Sequence, residues 1–251
     1  MVSGSADLTV TVLGCSGTYA GPDGACSGYL VRGGGTTVLV DAGPGTLANL
    51  QHHVSPDELD AVVVSHSHPD HWIEVPILRN VLAYVLGRTG VPLITTAETL
   101  GMVEHVCHGR IGVSFVPQVI TDGSEFSVGP LDFRCSRTDH PPETLGIRVD
   151  HADRSFGYSA DTGPRWSLAE LGPGLDLGIS EATWLDGDDV GDDLVHTTAG
   201  QAGAGARAAA VGRLLVTHVL PTGSVDEAVA EASEAYGAPV EAARIHRTYT
   251  V

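Results

Sequence analysis

Apolar and polar positions along this chain repeat with two periods. Residues 8–13 alternate aliphatic side chains with threonine, the signature of a strand. They run into Gly14-Cys15-Ser16-Gly17-Thr18, a flexible loop. Residues 28–32 and 37–40 read as two more strands, and Gly33-Gly34-Gly35 between them makes the pair a hairpin. Asp41 to Gly45 then turns the chain into a helix over about residues 46–53. The unbroken run Val62-Val63-Val64 predicts a buried strand. Residues 74–86 place Val75, Leu78, Leu82 and Val85 on one helical face. A short strand at 92–95 and a helix at 97–106 follow. Strand segments are expected at 113–116, 125–128, 131–136, 145–149 and 155–159, with a helix beginning near Pro164. The pattern closes with a strand at 177–180, an alanine-rich helix at 199–211, a strand at 213–217 and a helix at 225–236. These elements form two halves, each with strands, helices and polar residues at strand ends. No long polar linker interrupts them, so one domain spanning 1–251 is expected.

The buried run at Val62 leads straight into Ser65-His66-Ser67-His68-Pro69-Asp70-His71, which holds three histidines and one aspartate. Neutral imidazoles and carboxylates are the side chains that hold zinc and similar divalent ions. His66 and His68 lie two apart and so point the same way from an extended segment. Asp70 and His71 come after Pro69, where the chain can turn and begin a helix. One strand end can therefore offer two groups to one cation and two to its neighbour. Other histidines lack that company. His52 and His53 on the first helix read as solvent-facing, and His105 and His108 as structural or surface residues.

Composition narrows the picture. A hydrophobic fraction of 42% with 32 glycines suits a loop-rich α/β protein. The formal net charge is −18, and all 13 basic residues are arginine. A field of that sign repels polyanions and argues against a broad nucleic-acid-binding face, which needs a basic patch. One small anion held by local cations remains compatible. Cys15, Cys26, Cys107 and Cys135 form no CxxC pattern and read as reduced, mostly buried thiols of a cytoplasmic protein. Neither a secretory signal nor an apolar run of the roughly 18 residues that span a membrane is visible.

Three further residues complete a constellation: His140, Asp161 and His218, each just past a strand or irregular β segment. With them the chain resembles the metallo-β-lactamase superfamily over nearly its whole length. The carriers are the His-x-His-x-Asp-His signature at His66, His68, Asp70 and His71, then the lone His140, Ala160-Asp161-Thr162 in place of Gly-Asp-Thr, and the late Thr217-His218 pair. The resemblance implies an α/β fold, a four-layer αββα sandwich. It also implies two divalent ions, one on His66, His68 and His140, the other on Asp70, His71 and His218, with Asp161 bridging. Two ions roughly 3.5–4 Å apart can acidify a shared water and clamp an oxyanion. The nitrogen and oxygen ligand set favours zinc, with manganese or iron as alternatives.

Details select a branch. Two-zinc β-lactamases carry a Cys ligand near the Asp161 position and no His at the His71 position. Flavodiiron oxidases put Glu at the His68 position, and glyoxalase-type hydrolases lack the segment that begins Val195-His196-Thr197-Thr198. That segment resembles the His-Ser/Thr-Thr motif of the ribonuclease Z branch, and Glu181-Ala182-Thr183 resembles its Glu-Ala-Thr segment. By resemblance His196 contacts phosphate and protonates the leaving oxygen, Glu181 orients it, and Asp70 completes the catalytic set. The tRNA-processing enzymes insert a long basic arm between the lone His and the bridging Asp. Here only 20 residues separate His140 from Asp161, room for a hairpin. The arm-less chain, with Leu13-Gly14-Cys15-Ser16-Gly17 and Ser27-Gly28-Tyr29-Leu30, is similar to actinobacterial atypical cyclic-nucleotide phosphodiesterases.

The expected function is that of a binuclear metal-dependent hydrolase, a phosphodiesterase acting on a small cyclic nucleotide of the 3′,5′-cAMP class. The alternatives are a ribonuclease Z-type tRNA 3′ endonuclease, a carboxylic ester, lactone or thioester hydrolase, and a non-catalytic metal-binding protein. Arg165 is a candidate phosphate contact, and the acidic stretch 186–193 a candidate rim. Neither a nucleic-acid nor a membrane partner is expected, and relatives of this branch imply a homodimer.

Overall fold

The computed structural model describes residues 7–190 and 195–251. Its strands are β1 (Thr9–Gly14), β2 (Gly28–Gly33), β3 (Thr36–Val40), β4 (Ala61–Val64), β5 (Val91–Thr95), β6 (Phe115–Val119), β7 (Glu125–Val128), β8 (Leu131–Arg137), β9 (Leu145–His151), β10 (Arg154–Tyr158), β11 (Leu177–Glu181), β12 (Arg213–Thr217), β13 (Glu241–Ala242) and β14 (Thr248–Thr250). Its α-helices are α1 (Thr46–Leu50), α2 (Pro69–Trp72), α3 (Val75–Asn80), α4 (Ala97–Val106), α5 (Ala199–Ala208) and α6 (Val225–Tyr236). The strands form two mixed seven-stranded sheets, ordered β14-β1-β2-β3-β4-β5-β6 and β13-β12-β11-β10-β9-β8-β7.

Strand periodicity divides the side chains between cores. In β2, β3 and β4, Tyr29, Val31, Val38, Val40, Ala61 and Val63 enter the core between the sheets. Their neighbours Leu30, Leu39, Val62 and Val64 pack outward beneath α1, α3 and α4. Strands buried on both faces read as continuous apolar runs, which is why the Val62 stretch does not alternate. In β8 only Leu131, Phe133 and Cys135 point inward, while Asp132 and Arg134 are exposed, so that strand alternates. A third core sits under α5 and α6 on the second sheet. The layers are therefore helices, sheet, sheet, helices, an αββα sandwich.

The chain departs from the expected pattern in five places. The strand expected at 113–116 begins only at Phe115, after a 3₁₀ turn over Ile111–Val113. Val81–Leu86 continues α3 as a π-helix, whose wider turn rotates the later residues off the expected face. Leu82 stays buried and Val85 is 75% exposed. No helix begins at Pro164, because the Gly163 amide donates to the Asp139 carbonyl and the Arg165 amide to the Asp139 carboxylate; the first helical turn is 3₁₀, Leu168–Leu171. The helices at 46–53 and 199–211 end early, at Leu50 and Ala208. β13 and β14 were not legible, since each is short and made by a distant partner: Thr248, Tyr249 and Thr250 pair with Thr11, Val10 and Thr9.

The four cysteines are free thiols, Cys26 and Cys135 buried and Cys15 and Cys107 half-buried. Among the described residues no helix is long and apolar enough to cross a membrane.

Candidate metal centre

Strands β3, β4 and β5 run parallel, as do β10, β11 and β12. Ligands of α/β sheets gather beyond the carboxyl ends of such strands. Here β3 ends just before Asp41, β4 just before Ser65 and His66, β10 three residues before Asp161, β11 at Glu181 and β12 just before His218. Antiparallel β8 adds His140 from the same edge. The early histidine cluster, His140, Asp161 and His218 therefore meet between the two sheets.

Their ligand atoms converge in two sets. Nitrogens or oxygens of His66, His68, His140 and Asp161 lie within 4.8 Å of one another, as do those of Asp70, His71 and His218. Asp161 faces both ways. Its Oδ2 lies 3.5 Å from His66 Nε2 and 3.8 Å from His140 Nε2. Its Oδ1 lies 3.2 Å from His71 Nε2 and 3.4 Å from His218 Nε2. His140 Nε2 is 3.0 Å from His68 Nδ1, and Asp70 Oδ2 is 3.6 Å from His71 Nε2 and 3.3 Å from His218 Nε2. Ligands about 2.0–2.2 Å from a tetrahedral zinc stand roughly 3.3–3.6 Å apart, and these spacings fall in or near that range. His66 Nε2, His71 Nε2 and Asp161 Oδ1 are buried and have no hydrogen-bond partner. Close but misaligned for hydrogen bonds, they are donor atoms whose unmet demand a cation would satisfy. The residues fit bound divalent metal.

Two buried carboxylates aim the imidazoles. Asp41, fully buried, accepts from His71 Nδ1 at 2.8 Å and from Ser65 Oγ at 3.0 Å; Ser65 Oγ in turn accepts from His66 Nδ1 at 3.0 Å. Asp41 also receives the Ser65 amide and the Tyr158 hydroxyl. On the other side Glu181 accepts from His196 Nδ1 at 3.0 Å and from Thr183 Oγ1 at 2.6 Å, and Thr183 Oγ1 accepts from His218 Nδ1 at 2.9 Å. Each carboxylate thus holds one imidazole directly and one through a hydroxyl, placing the proton on Nδ1 and leaving Nε2 to face the centre. His140 is fixed the same way, Nδ1 donating to the Val195 carbonyl at 2.6 Å.

Electrostatics follow from this burial and pairing. Desolvation pushes His66 and His140 down to about 4. Burial opposes charge on His71 too, but Asp161 and Asp41 overcome it and hold that imidazole well above its ordinary value. Against burial, His218 and His71 draw Asp70 down to about 2 and hold Asp161 well below the usual carboxylate range. Burial also works against the His196 cation, yet Glu181 and Asp161 lift it to about 9.

Gly43 and Gly17 show how closely the backbone approaches. A Cβ on Gly43 would lie 1.9 Å from the Asp70 carbonyl, and one on Gly17 2.4 Å from that of His218. His218 itself is held at φ 59 and Ala160, before Asp161, at φ 52, left-handed conformations that cluster at functional sites.

All nine expected residues are brought to one place: the seven candidate ligands, plus His196, whose ring packs against His140 and His218 at 4.8 and 5.3 Å, and Glu181 behind it. His52, His105 and His108 are exposed and His53 is half-buried, all away from the centre. Arg165 Nε and Nη2 bind the Asp139 carboxylate, beside His140, so it braces a ligand loop. Of the acidic stretch, Asp186, Asp188 and Asp189 are described, and Asp192 and Asp193 lie outside the described residues. In the sequence Asp41 and Thr183 read as parts of a turn and a motif, and only their contacts disclose an orienting position. Asp41 did offer one signal, an acidic residue directly after a strand.

A family model described as a beta-lactamase superfamily domain matches residues 36–219. The uncharacterized protein Rv1339 of Mycobacterium tuberculosis is 35% identical over 254 residues, covering 97% of this chain and 92% of its own. A ribonuclease Z of Mycobacterium avium is 31% identical over 244 residues, covering 85% and 86%. The crystal structure of the metallo-beta-lactamase fold protein YhfI from Bacillus subtilis superposes with a TM-score of 0.89 at 27% identity, covering 98% of this chain and all of that one. The chain therefore belongs to the beta-lactamase superfamily of metallo-hydrolases, close to YhfI and to its ribonuclease Z-like members.

Proposed function

We propose that the chain is a binuclear metal-dependent phosphodiesterase whose substrate is a small cyclic nucleotide of the 3′,5′-cAMP class. The observation that carries this reading is the place of His196: a carboxylate-held imidazole packed between two candidate ligands and opening, with Thr18, His68, Pro69, Asp70 and His218, onto a cavity of about 340 Å³. A mononucleotide-sized ligand suits that volume.

His66, His68, His140 and Asp161 would hold one divalent ion, and Asp70, His71, His218 and Asp161 the other; zinc suits these donors. When bound, the ions supply Lewis acidity and an acidified water. The chain's own residues do the rest. Asp161 fixes the spacing of the two sets, and Asp41 and Glu181 keep the ligand lone pairs aimed. His196 delivers its Nε2 proton to the departing oxygen while Glu181 steadies the charge on the ring. The relatives named ribonuclease Z support a phosphodiester as the bond broken.

The test is turnover of 3′,5′-cAMP, bis-p-nitrophenyl phosphate, precursor tRNA and a panel of carboxylic esters and lactones, with metal content measured on the same sample. Hydrolysis of cAMP with two equivalents of metal is expected. Turnover of esters alone would refute the reading in favour of a carboxylic ester hydrolase, and cleavage of precursor tRNA without cAMP would favour the ribonuclease.

A further inference from the structure

We infer that this centre admits phosphodiesters carrying a single negative charge and turns away those with additional phosphates, and that the filter is electrostatic repulsion. The inference rests on the phosphodiesterase reading above. It concerns which diesters reach the centre.

Every arginine of the chain lies among the described residues, and none lines the cavity at His196. Arg165, four positions from Asp161, has its guanidinium on Asp139. The metal ions and His196 can compensate one phosphoryl charge, so a second phosphate would have to sit further out. There it meets the field of the chain's carboxylates. A second cavity of about 510 Å³ lies on the far side of His218, lined by Thr183, which bonds His218 Nδ1, and by Val219, and it carries Asp188, Asp189 and Glu227 on its walls. Behind it stands a chain with a formal charge of −18. Clefts lined by one sign of charge concentrate their field and exclude ligands of the same sign.

This arrangement makes a prediction of unusual sign. Proteins that grip polyanions with basic side chains bind them less well as salt rises. Here salt should improve access of a polyanion, because the Debye length shrinks from about 30 Å at 0.01 M to about 3 Å at 1 M. A steric filter would not respond to salt.

The experiment uses the metal-loaded full chain with bis-p-nitrophenyl phosphate as reporter, and the dinucleotides ApA and pApA as competitors. These two share one internal diester and differ by a terminal phosphate. Near 0.02 M salt, ApA should compete about tenfold more tightly than pApA, and the gap should close to about threefold or less near 0.5 M. Asp189→Asn with Glu227→Gln should narrow the low-salt gap by about threefold while leaving reporter turnover unchanged. Equal or tighter competition by pApA at low salt, a gap that neither salt nor the double variant moves, or no competition by either dinucleotide would each overturn the inference. Failure to turn over either the reporter or 3′,5′-cAMP would instead refute the phosphodiesterase reading itself.

Discussion

Replacing Asp41 tests whether the centre is held from behind as the geometry implies. The carboxylate is buried and accepts four hydrogen bonds: the Ser65 amide on Oδ1, and Ser65 Oγ, His71 Nδ1 and Tyr158 Oη on Oδ2. In Asp41→Asn the amide oxygen can take the Oδ2 position and keep three donors, but its NH₂ then faces the Ser65 amide. One donor left opposite a donor costs about 1–3 kcal/mol, or about 2–12 °C of melting temperature in a chain of this size. Asp41→Ala strands all four donors, at least about 4 kcal/mol. Because Asp41 aims His71 directly and His66 through Ser65, one candidate ligand in each set loses its orientation. Metal affinity should fall about 10–100-fold. The assay is chelator competition for bound zinc, paired with thermal melts of loaded and metal-free protein. Asp41→Ala that melts within about 1 °C of wild type and keeps its zinc would refute the argument, and so would an Asn variant weaker than Ala.

Other outcomes follow from the same contacts. His196→Ala should keep both ions and lose about 10²–10⁴ in kcat; loss of an ion from that variant would contradict its assignment as proton donor. Gly43→Ala drives a methyl group into the Asp70 carbonyl at 1.9 Å, so metal content should drop on the Asp70 side, and a variant with full metal and full activity would show that the ligand segment can move. Acidification should empty the two sets in order. His71, held well above its ordinary value, carries a proton that the ion must displace, so affinity on its side falls as pH falls. His66 and His140, pushed to about 4, stay deprotonated until lower pH. Zinc should therefore be lost first from the His71 side as pH falls, and simultaneous loss from both sets would refute this order. Val85→Ser, on an exposed residue, should change stability by less than about 0.5 kcal/mol, whereas Leu78→Ala in the core should cost about 2–5 kcal/mol, measured by denaturant melts.

Much of this arrangement is legible in the sequence. β7, α4, β12 and α6 have their expected limits, because each is a short segment whose apolar period, cap residue or flanking turn is local. The π-turn at Val81–Leu86 was not legible. Its sequence fits an ordinary helix, and no local signal marks the wider turn. β14 was invisible because three residues become a strand only when β1, at the other end of the chain, supplies hydrogen bonds.

The centre divides in the same way. The side chains from His66 to His71 are brought together by the covalent chain itself, since the strand period and the turn at Pro69 set their directions over a few residues. That His140, Asp161 and His218 join them could be inferred from residue order. Tertiary structure decided the rest: which Asp161 oxygen faces which histidines, that Asp41 and Glu181 each steer two imidazoles, and that Arg165 turns to Asp139. Those outcomes depend on distances of a few ångströms between strand ends of two different sheets. Such distances are set by how the inter-sheet core packs, and no local pattern encodes them.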